Sequence, residues 1–225
     1  MNSPLDKVAT LSIDQKYALE MAAKQLESEF VGVFGRPTIE RFLATSYDEF
    51  ASRATVPNYL PLLAERFARQ RLHALSVVQA DSHDGRPVVL FLCVKNAGKS
   101  QMALGFMKHL AGDRAIGWSG GSEPGNQLNR HAVDAMHELG IDISDEFPKP
   151  WTEETLKAAD VVVTMGCGDA CPVYPGKRYL DWEIEGEPGT SIENVRPVRD
   201  EIERRVAALL TELGVELVAQ PRATA

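Results

Sequence analysis

The spacing of apolar residues divides the chain into two parts with different patterns. Between residue 11 and about residue 79, apolar positions recur at helical spacing, and short segments with Gly or Pro separate the helical stretches. After a polar, turn-rich segment at residues 80–87, short apolar runs alternate with amphipathic stretches. The pattern therefore predicts an all-helical part, followed by a part in which strands and helices alternate.

The first part is predicted to be a small bundle of three or four helices. Ser12 is the expected N-cap of the first helix, and Gln15 is its capping-box partner. The second helix is expected at residues 38–44, and Ser46 is placed as the cap of a third. The basic stretch around His73 is interpreted as an ordinary solvated face of the last helix. The apolar positions expected to face the core of the bundle include Tyr17, Leu19, Met21, Ala22, Leu26, Phe30, Leu60, Leu63, Phe67, Leu72 and Leu75.

The second part is predicted to be α/β. The expected strands are residues 88–92, 116–119, 161–165 and 178–182. The expected helices are residues 100–110, 129–139, 152–159 and 198–213. Strands that alternate with helices form a mainly parallel sheet with helices packed on it. The predicted domains are therefore a helical bundle at residues 1–84 and an α/β domain at residues 85–225.

Composition and charge narrow the classes of function. The chain has 225 residues, a net charge of -8 and a pI near 5.2, which is unfavourable for non-specific binding of nucleic acid. It has no apolar run of about 20 residues and no apolar signal core at its start, so we expect no membrane partner and a cytoplasmic location. In an acidic chain, any site for an anion must be built locally.

An eight-residue loop that begins with a cysteine follows the first predicted strand. Ligands of parallel α/β folds bind beyond the C-terminal ends of the strands, which is where Cys93 lies. A loop that closes on a helix N-terminus directs backbone N–H groups at an oxyanion, and the same field favours a thiolate. We therefore predict Cys93 as a nucleophile assisted by Lys99 and Ser100. The predicted oxyanion-binding residues are Val94, Lys95, Asn96, Ala97, Gly98, Lys99 and Ser100.

The ending of this loop also occurs in nucleotide-binding loops. Those loops finish in Gly-Lys-Ser, as residues 98–100 do, but they require a glycine five positions before Gly98. Cys93 stands at that position. The sequence therefore favours a cysteine nucleophile over nucleotide hydrolysis.

The loop from Cys93 to Ser100, with Gln-Met-Ala at residues 101–103, resembles the active-site loop of arsenate reductases built on the low-molecular-weight tyrosine phosphatase fold. The family pattern is Cys, five residues, Arg and Ser, so Lys99 stands where the family has arginine. Arginine offers a planar two-pronged grip on an oxyanion, whereas lysine offers a point charge. The departure predicts a weaker hold on the oxyanion or on the transition state.

Further matches extend the resemblance over residues 87 to about 214. They are residues 118–124 with Gly120 where alanine is usual, Asn129 at a polar position that supports the loop, residues 140–144 and residues 163–165. The resemblance implies the parallel sheet and flanking helices of the low-molecular-weight phosphatase fold. The helical first part resembles an extension found ahead of actinobacterial arsenate reductase-like proteins, and no residue in it suggests chemistry.

The resemblance also implies roles for the other two cysteines. Thioredoxin-coupled members of the family carry three cysteines in this order, although the last two stand farther apart in familiar members. Arsenate binds in the loop, Cys93 attacks arsenic, and Cys167 attacks Cys93 as arsenite leaves. Cys171 then moves the disulfide to Cys167, and thioredoxin reduces it. Members coupled to mycothiol or glutaredoxin need only the nucleophile.

Other functions remain open at this level. A phosphatase needs a general acid, and the family's Asp-Pro is matched by Glu187-Pro188, which equally fits a solvated acidic turn. A third possibility is an oxyanion-binding module in which Lys99 has silenced catalysis. Zinc is not favoured, because three cysteines without a paired histidine motif do not complete a site. No cofactor and no nucleic-acid partner are expected, and the oligomeric state is open.

Overall fold

The computed structural model describes residues 3–8, 11–53, 59–80, 84–166, 173–186 and 191–218. Its backbone divides into two compact units, residues 1–81 and residues 82–225. The division lies three residues before the boundary proposed from the sequence. Among the described residues, no helix is both long enough and apolar enough to cross a membrane.

The first unit is helical in all of its described secondary structure. A short 3-10 helix at Pro4–Lys7 precedes α1 (Ile13–Glu29), α2 (Arg36–Ala51) and α3 (Leu60–Gln79). Ser12 caps α1 and forms the predicted capping box with Gln15. The three long helices pack on one another through a buried apolar core. The side chains in this core that are entirely buried include Leu19, Leu26, Ile39, Leu43 and Leu72.

Two sequence predictions for this unit were wrong. Residues 38–44 and the stretch after Ser46 form one helix, α2, because no glycine or proline interrupts the apolar positions that continue from Phe42 to Phe50. Ser46 is buried inside that helix and accepts a hydrogen bond from Arg71 rather than capping a third helix. Tyr17 and Met21 are 64% and 45% exposed, since they lie on the face of α1 opposite Leu19 and Leu26.

The basic stretch of α3 is partly solvated, as predicted, and it also forms ion pairs with acidic side chains. Arg69 donates to Glu29 at 2.8 Å and to Glu65 at 2.7 Å. The imidazole of His73 lies 2.9 Å from Glu29, and its centre is 4.7 Å from that of the Phe30 ring, to which it is tilted. These contacts connect α3 with the end of α1, so the charges serve the packing of the bundle.

The second unit contains a parallel sheet, as predicted. Its strands are β1 (Val88–Cys93), β2 (Ile116–Gly121), β3 (Val161–Thr164) and β4 (Arg178–Asp181). They lie in the order β2-β1-β3-β4, and each neighbouring pair is parallel. The C-terminal ends of all four strands therefore meet at one edge, and Cys93 ends the fully buried strand β1.

Helices connect these strands and cover the sheet. They are α4 (Lys99–Ala111), α5 (Arg130–His137), α6 (Glu153–Ala158) and α7 (Ile192–Glu212). Val89, Phe91 and Cys93 alternate along β1 and share one apolar core with side chains of α4 and α7. Helix α7 begins six residues before its predicted start at Val198, with Pro197 inside it. Val195, in the part of the helix before this proline, is buried in the same core.

The family's usual alanine is replaced by Gly120 for a steric reason. A Cβ atom at this position would lie 2.7 Å from the Cα and 2.8 Å from the backbone nitrogen of Trp151. Backbone atoms cannot move aside as the end of a side chain can. The strand β2 and the segment after residue 149 therefore approach closely only because residue 120 has no side chain.

We expect Gly120→Ala to lower the free energy of unfolding by about 1–3 kcal/mol, as overpacked sites do. Gly117→Ala on the same strand is the matched control, because a Cβ there would meet the ends of the flexible Leu104 and Met107 side chains. Urea unfolding of both variants gives the measurement. Equal losses in the two variants would show that the backbone of Trp151 yields.

Candidate active site

The loop from Cys93 to Ser100 is held from outside by the segment that follows β2. The backbone N–H of Glu123 donates to the carbonyl of Val94 at 2.9 Å, and that of Gly125 donates to Lys95 at 2.8 Å. The carbonyl of Ala97 accepts from Asn129 at 2.8 Å. The carbonyls are thereby fixed away from the centre of the loop, which leaves the N–H groups to face it.

The backbone N–H groups of the loop are the predicted donors to an oxyanion. Within the described residues, the backbone N–H groups of Lys95, Ala97, Gly98 and Lys99 have no hydrogen-bond acceptor. The last of these opens α4, whose N-terminus adds the favourable end of the helix dipole. A tetrahedral oxyanion carries the acceptors that such groups require. The arrangement therefore suits phosphate, arsenate or a similar anion.

Cys93 lies at the base of this cradle with its sulfur in contact with a hydroxyl and a backbone N–H. The Sγ atom is 3.0 Å from the Ser100 hydroxyl, and it accepts the backbone N–H of Asn96 at 3.2 Å. Cys93 is buried, with 7% of its surface exposed. Both contacts stabilise a sulfur that carries negative charge.

Asn96 adopts a backbone conformation that few residues other than glycine accept. Its φ angle is +47°, and asparagine tolerates this left-handed region better than most side chains. The residue is fully buried, and its side-chain amide donates to Ser100 at 2.8 Å. Asn96 therefore contributes through its side chain as well as through the backbone role that the sequence predicted.

A cavity of about 240 Å³ opens in front of Cys93. Its walls consist of the loop together with the side chain of Asn129 and the end of β3 at Met165 and Gly166. A second cavity of about 220 Å³ shares Lys99, Met165 and Gly166 with the first. The acidic residues Asp181, Glu183 and Glu185 line this second cavity. Lys99 thus lies between the first cavity, which contains Cys93, and the acidic residues of the second cavity.

Lys99 is directed toward the acidic side of the site. Its ammonium donates to the backbone carbonyl of Ile184 at 3.0 Å and is partly buried. Lys95, which was also predicted to bind the oxyanion, pairs with Glu123 at 2.9 Å and is mostly exposed. The Lys95 side chain thus lies at the rim, whereas its backbone N–H belongs to the cradle.

Three other predicted site residues lie outside the described part of the chain. They are Cys167, Cys171 and Glu187. The described chain reaches the wall of the first cavity at Gly166, one residue before Cys167, and the wall of the second at Glu185, two residues before Glu187. Trp182, which lines the second cavity, is buried against Phe91. Tyr179 accepts a hydrogen bond from the backbone of Tyr174.

Sequence reasoning missed the residues that hold the loop from behind. Gln101 donates to the carbonyl and to the side-chain oxygen of Asn96, and its own oxygen accepts from Ser119. The backbone N–H of Lys149 also donates to the side-chain oxygen of Asn96, at 3.0 Å. Gln101 follows the loop directly and matches the family pattern, which was an available signal. Lys149 gave no signal, because it is 53 residues away from Asn96 in sequence.

The described residues offer no evident place for a metal ion. Across residues 3–8, 11–53, 59–80, 84–166, 173–186 and 191–218, no three His, Cys, Asp or Glu side chains cluster closely enough to hold one.

Comparison with known proteins agrees with this geometry. Residues 88–219 match the family described as low molecular weight phosphotyrosine protein phosphatase, which is more than half of the chain. The chain belongs to this family. Residues 19–76 match a second family, described as the N-terminal domain of protein-tyrosine-phosphatase-like proteins. The family assignment confirms the resemblance and the fold class predicted from the sequence.

Named relatives narrow the position within the family. The solved structure of a thioredoxin-dependent arsenate reductase from Corynebacterium glutamicum is 42% identical with a TM-score of 0.78, and the match covers 88% of this chain and 97% of that one. An arsenate reductase from Halalkalibacterium halodurans is 40% identical over 54% of this chain and 93% of that protein. A glutaredoxin arsenate reductase from Synechocystis sp. is 34% identical over 56% and 98%. The sequence and the fold of the chain are those of an enzyme of the arsenate reductase kind.

Acid should lower the free energy of unfolding of the second unit through Glu146, which accepts hydrogen bonds from Lys149 and from Lys108. Burial raises the pKa of the Glu146 carboxyl, but the two lysines outweigh burial and lower the pKa from 4.5 to about 2. A lowered pKa in the folded state means that the stabilisation is complete above about pH 4.5 and is lost as the pH falls toward about 2. We expect roughly 2 kcal/mol of this contribution to disappear between pH 6 and pH 3.

Urea unfolding of wild type and Glu146→Gln at a series of pH values measures the effect. The variant should show a pH dependence that is smaller by the amount given above. Glu216→Gln, at a carboxylate that is 85% exposed beside Arg114, is the control and should follow the wild type. The same acid sensitivity in all three proteins would contradict the assignment to Glu146.

Proposed function

We propose that this protein reduces arsenate to arsenite with Cys93 as the nucleophile, and that a relay through Cys167 and Cys171 delivers the electrons of thioredoxin. The observation that carries the proposal is the Cys93 sulfur, in contact with the Ser100 hydroxyl, at the base of a cradle of backbone N–H groups that have no acceptor among the described residues. The relatives named above include a thioredoxin-dependent arsenate reductase that matches over 88% of this chain. Both facts support a thiol that acts on a tetrahedral oxyanion.

The first step uses only residues of the cradle. Arsenate binds with its oxygens on the loop N–H groups, and the Cys93 thiolate attacks arsenic. One arsenate oxygen takes up protons and leaves as water, which produces a Cys93–arsenic bond. The Ser100 hydroxyl, at 3.0 Å from the sulfur, stabilises the thiolate before attack.

The second and third steps are thiol–disulfide exchange. The Cys167 thiolate attacks the Cys93 sulfur, and the sulfur–arsenic electron pair stays on arsenic, which leaves as arsenite. Cys171 then attacks Cys167 and frees Cys93. Thioredoxin reduces the resulting Cys167–Cys171 disulfide, so its dithiol supplies both electrons. The approach of the chain to the cavity wall at Gly166, just before Cys167, favours this sequence of events.

A second candidate function is hydrolysis of a phosphate ester at the same cysteine. The observation that favours it is the acidic wall of Asp181, Glu183 and Glu185 beside Lys99, because a phosphatase requires an acid for its leaving group. Glu187 follows this wall and is the acid expected from the family pattern. A third candidate, a binding module without turnover, rests on Lys99 in place of arginine.

The test is consumption of reductant that depends on arsenate, with thioredoxin and low-molecular-weight thiols compared under the same conditions. We expect turnover with thioredoxin, and we expect Cys93→Ser, Cys167→Ser and Cys171→Ser each to abolish it. Arsenite formation should follow reductant consumption mole for mole, because arsenic accepts two electrons.

An arylphosphate assay on the same four proteins separates the candidates. Hydrolysis that survives Cys167→Ser and Cys171→Ser, without any reduction of arsenate, would replace the reductase by a phosphatase. Binding of phosphate without turnover of either substrate would identify a binding module. If only low-molecular-weight thiols support reduction, the proposed arsenate reductase activity stands, but the proposed relay to thioredoxin is wrong.

Lys99→Arg should strengthen the hold on the oxyanion. An arginine at this position presents two parallel donors instead of one point charge, and we expect the inhibition constant of inorganic phosphate to fall by about three- to tenfold. Lys99→Met should raise it, because the cavity in front of Cys93 then loses one of the cations that line it. Competition by phosphate in the arsenate assay or in Cys93 alkylation measures both changes. An unchanged constant in Lys99→Met would show that Lys99 does not contact the anion.

A further inference from the structure

The second unit contains a fully buried lysine that the proposed reaction does not use. Lys149 is 1% exposed. Its ammonium lies 3.2 Å from the carboxylate of Glu146 and 3.3 Å from the carbonyl of Phe147, and 4.6 Å from the centre of the Phe147 ring. A buried charge is costly unless it keeps its partners. The contacts of the ammonium with Glu146 and Phe147 therefore hold the segment that carries them in one geometry.

This segment contacts the loop from behind at two places. The backbone N–H of Lys149 donates to the side-chain oxygen of Asn96 at 3.0 Å. The carbonyl of Phe147 accepts from the side-chain nitrogen of Gln101 at 3.0 Å, and the same nitrogen donates to the side-chain oxygen of Asn96. The ion pair between Lys149 and Glu146 therefore anchors the two groups that hold Asn96.

The orientation of the Asn96 amide then determines a hydrogen bond at the nucleophile. Because its oxygen faces two N–H donors, its nitrogen must be the atom that faces Ser100, at 2.8 Å. The Ser100 oxygen accepts this bond, so its own hydrogen is available to the Cys93 sulfur at 3.0 Å. A reversed amide would remove the donor to Ser100 and would leave the direction of the last bond undefined.

We propose that Lys149 is a positioning residue for the nucleophile, and that its buried ammonium acts through Asn96 and Ser100 to hold a donated hydrogen bond on the Cys93 sulfur. The proposal rests on the proposed function only in taking Cys93 as the reactive residue. Lys108 of α4 also contacts this ion pair, and its ammonium is 2.6 Å from the second oxygen of Glu146. Lys108 is 59% exposed, whereas Lys149 is enclosed.

Lys108 provides a matched control, because it pairs with the same carboxylate and carries the same charge. The experiment measures the rate at which iodoacetamide alkylates Cys93 in the full-length protein between pH 5 and pH 9, with the modified Cys93 peptide quantified by mass spectrometry. In Lys149→Met we expect alkylation at neutral pH to slow by about three- to tenfold and the midpoint of the pH–rate profile to move up by about half a unit to one unit. Lys108→Met should retain the profile of the wild type.

A double variant separates positioning from the loss of a charge and from misfolding. Lys149→Met combined with Glu146→Gln removes one positive and one negative charge, so the net charge is unchanged and no unpaired carboxylate stays buried. We expect Cys93 in this variant to remain as slow as in Lys149→Met. Circular dichroism and urea unfolding establish that each variant is folded before its rate is compared.

Three results would overturn the inference. Equal slowing in Lys108→Met and Lys149→Met would assign the effect to charge alone. Recovery of the wild-type profile in the double variant would do the same. An unchanged profile in a folded Lys149→Met would show that Asn96 keeps its orientation without the anchor. Because alkylation requires neither arsenate nor thioredoxin, a failure of the proposed function leaves this experiment interpretable, and the reverse also holds.

Discussion

The hydrogen bonds that take up the carbonyl groups of the Cys93 loop are the constraint on which the site depends. A peptide unit that turns its oxygen outward must turn its N–H inward. The amides of Glu123, Gly125 and Asn129 fix three loop carbonyls in this way. The cradle is therefore made by the segment after β2 as much as by the loop itself. A loop of the same sequence without that segment would have no reason to direct its donors at one point.

The sheet places these two segments side by side. Parallel pairing of β1 and β2 with Cys93 opposite Gly121 brings both C-terminal ends to the same edge, so the two following loops run together. Glycine at the end of β2 is part of this arrangement, because a Cβ at Gly121 would lie 2.6 Å from the carbonyl of Val94. Close approach of the backbones, rather than any particular side chain, is what the end of β2 provides.

Much of this was accessible from the sequence, and the rest was not for physical reasons. The buried run before Cys93 and the glycine and lysine after it specify a strand, a loop and a helix by local pattern alone, which is why the fold class and the position of the cysteine were predicted. The contact between Lys149 and Asn96 depends on chain segments 53 residues apart, which no local pattern encodes. The sequence prediction divided helix α2 in two because serine often caps helices. Ser46 is instead buried inside the helix, where it contacts Arg71. The predicted roles of Cys167, Cys171 and Glu187 stay predictions.

The fixed donors of the cradle also bear on the competition that the enzyme meets in a cell. Phosphate and arsenate share the tetrahedral shape and the charge to which backbone N–H groups respond. Because the loop carbonyls already accept hydrogen bonds, the loop cannot easily change its size to fit one of the two anions better than the other. If the protein reduces arsenate, phosphate in the same place is not reduced, since phosphorus does not accept the electron pair, but it keeps arsenate out. Selectivity for arsenate then arises in the step that forms and breaks the sulfur–arsenic bond, not in binding. The rate of arsenate reduction therefore depends on the ratio of arsenate to phosphate around the protein.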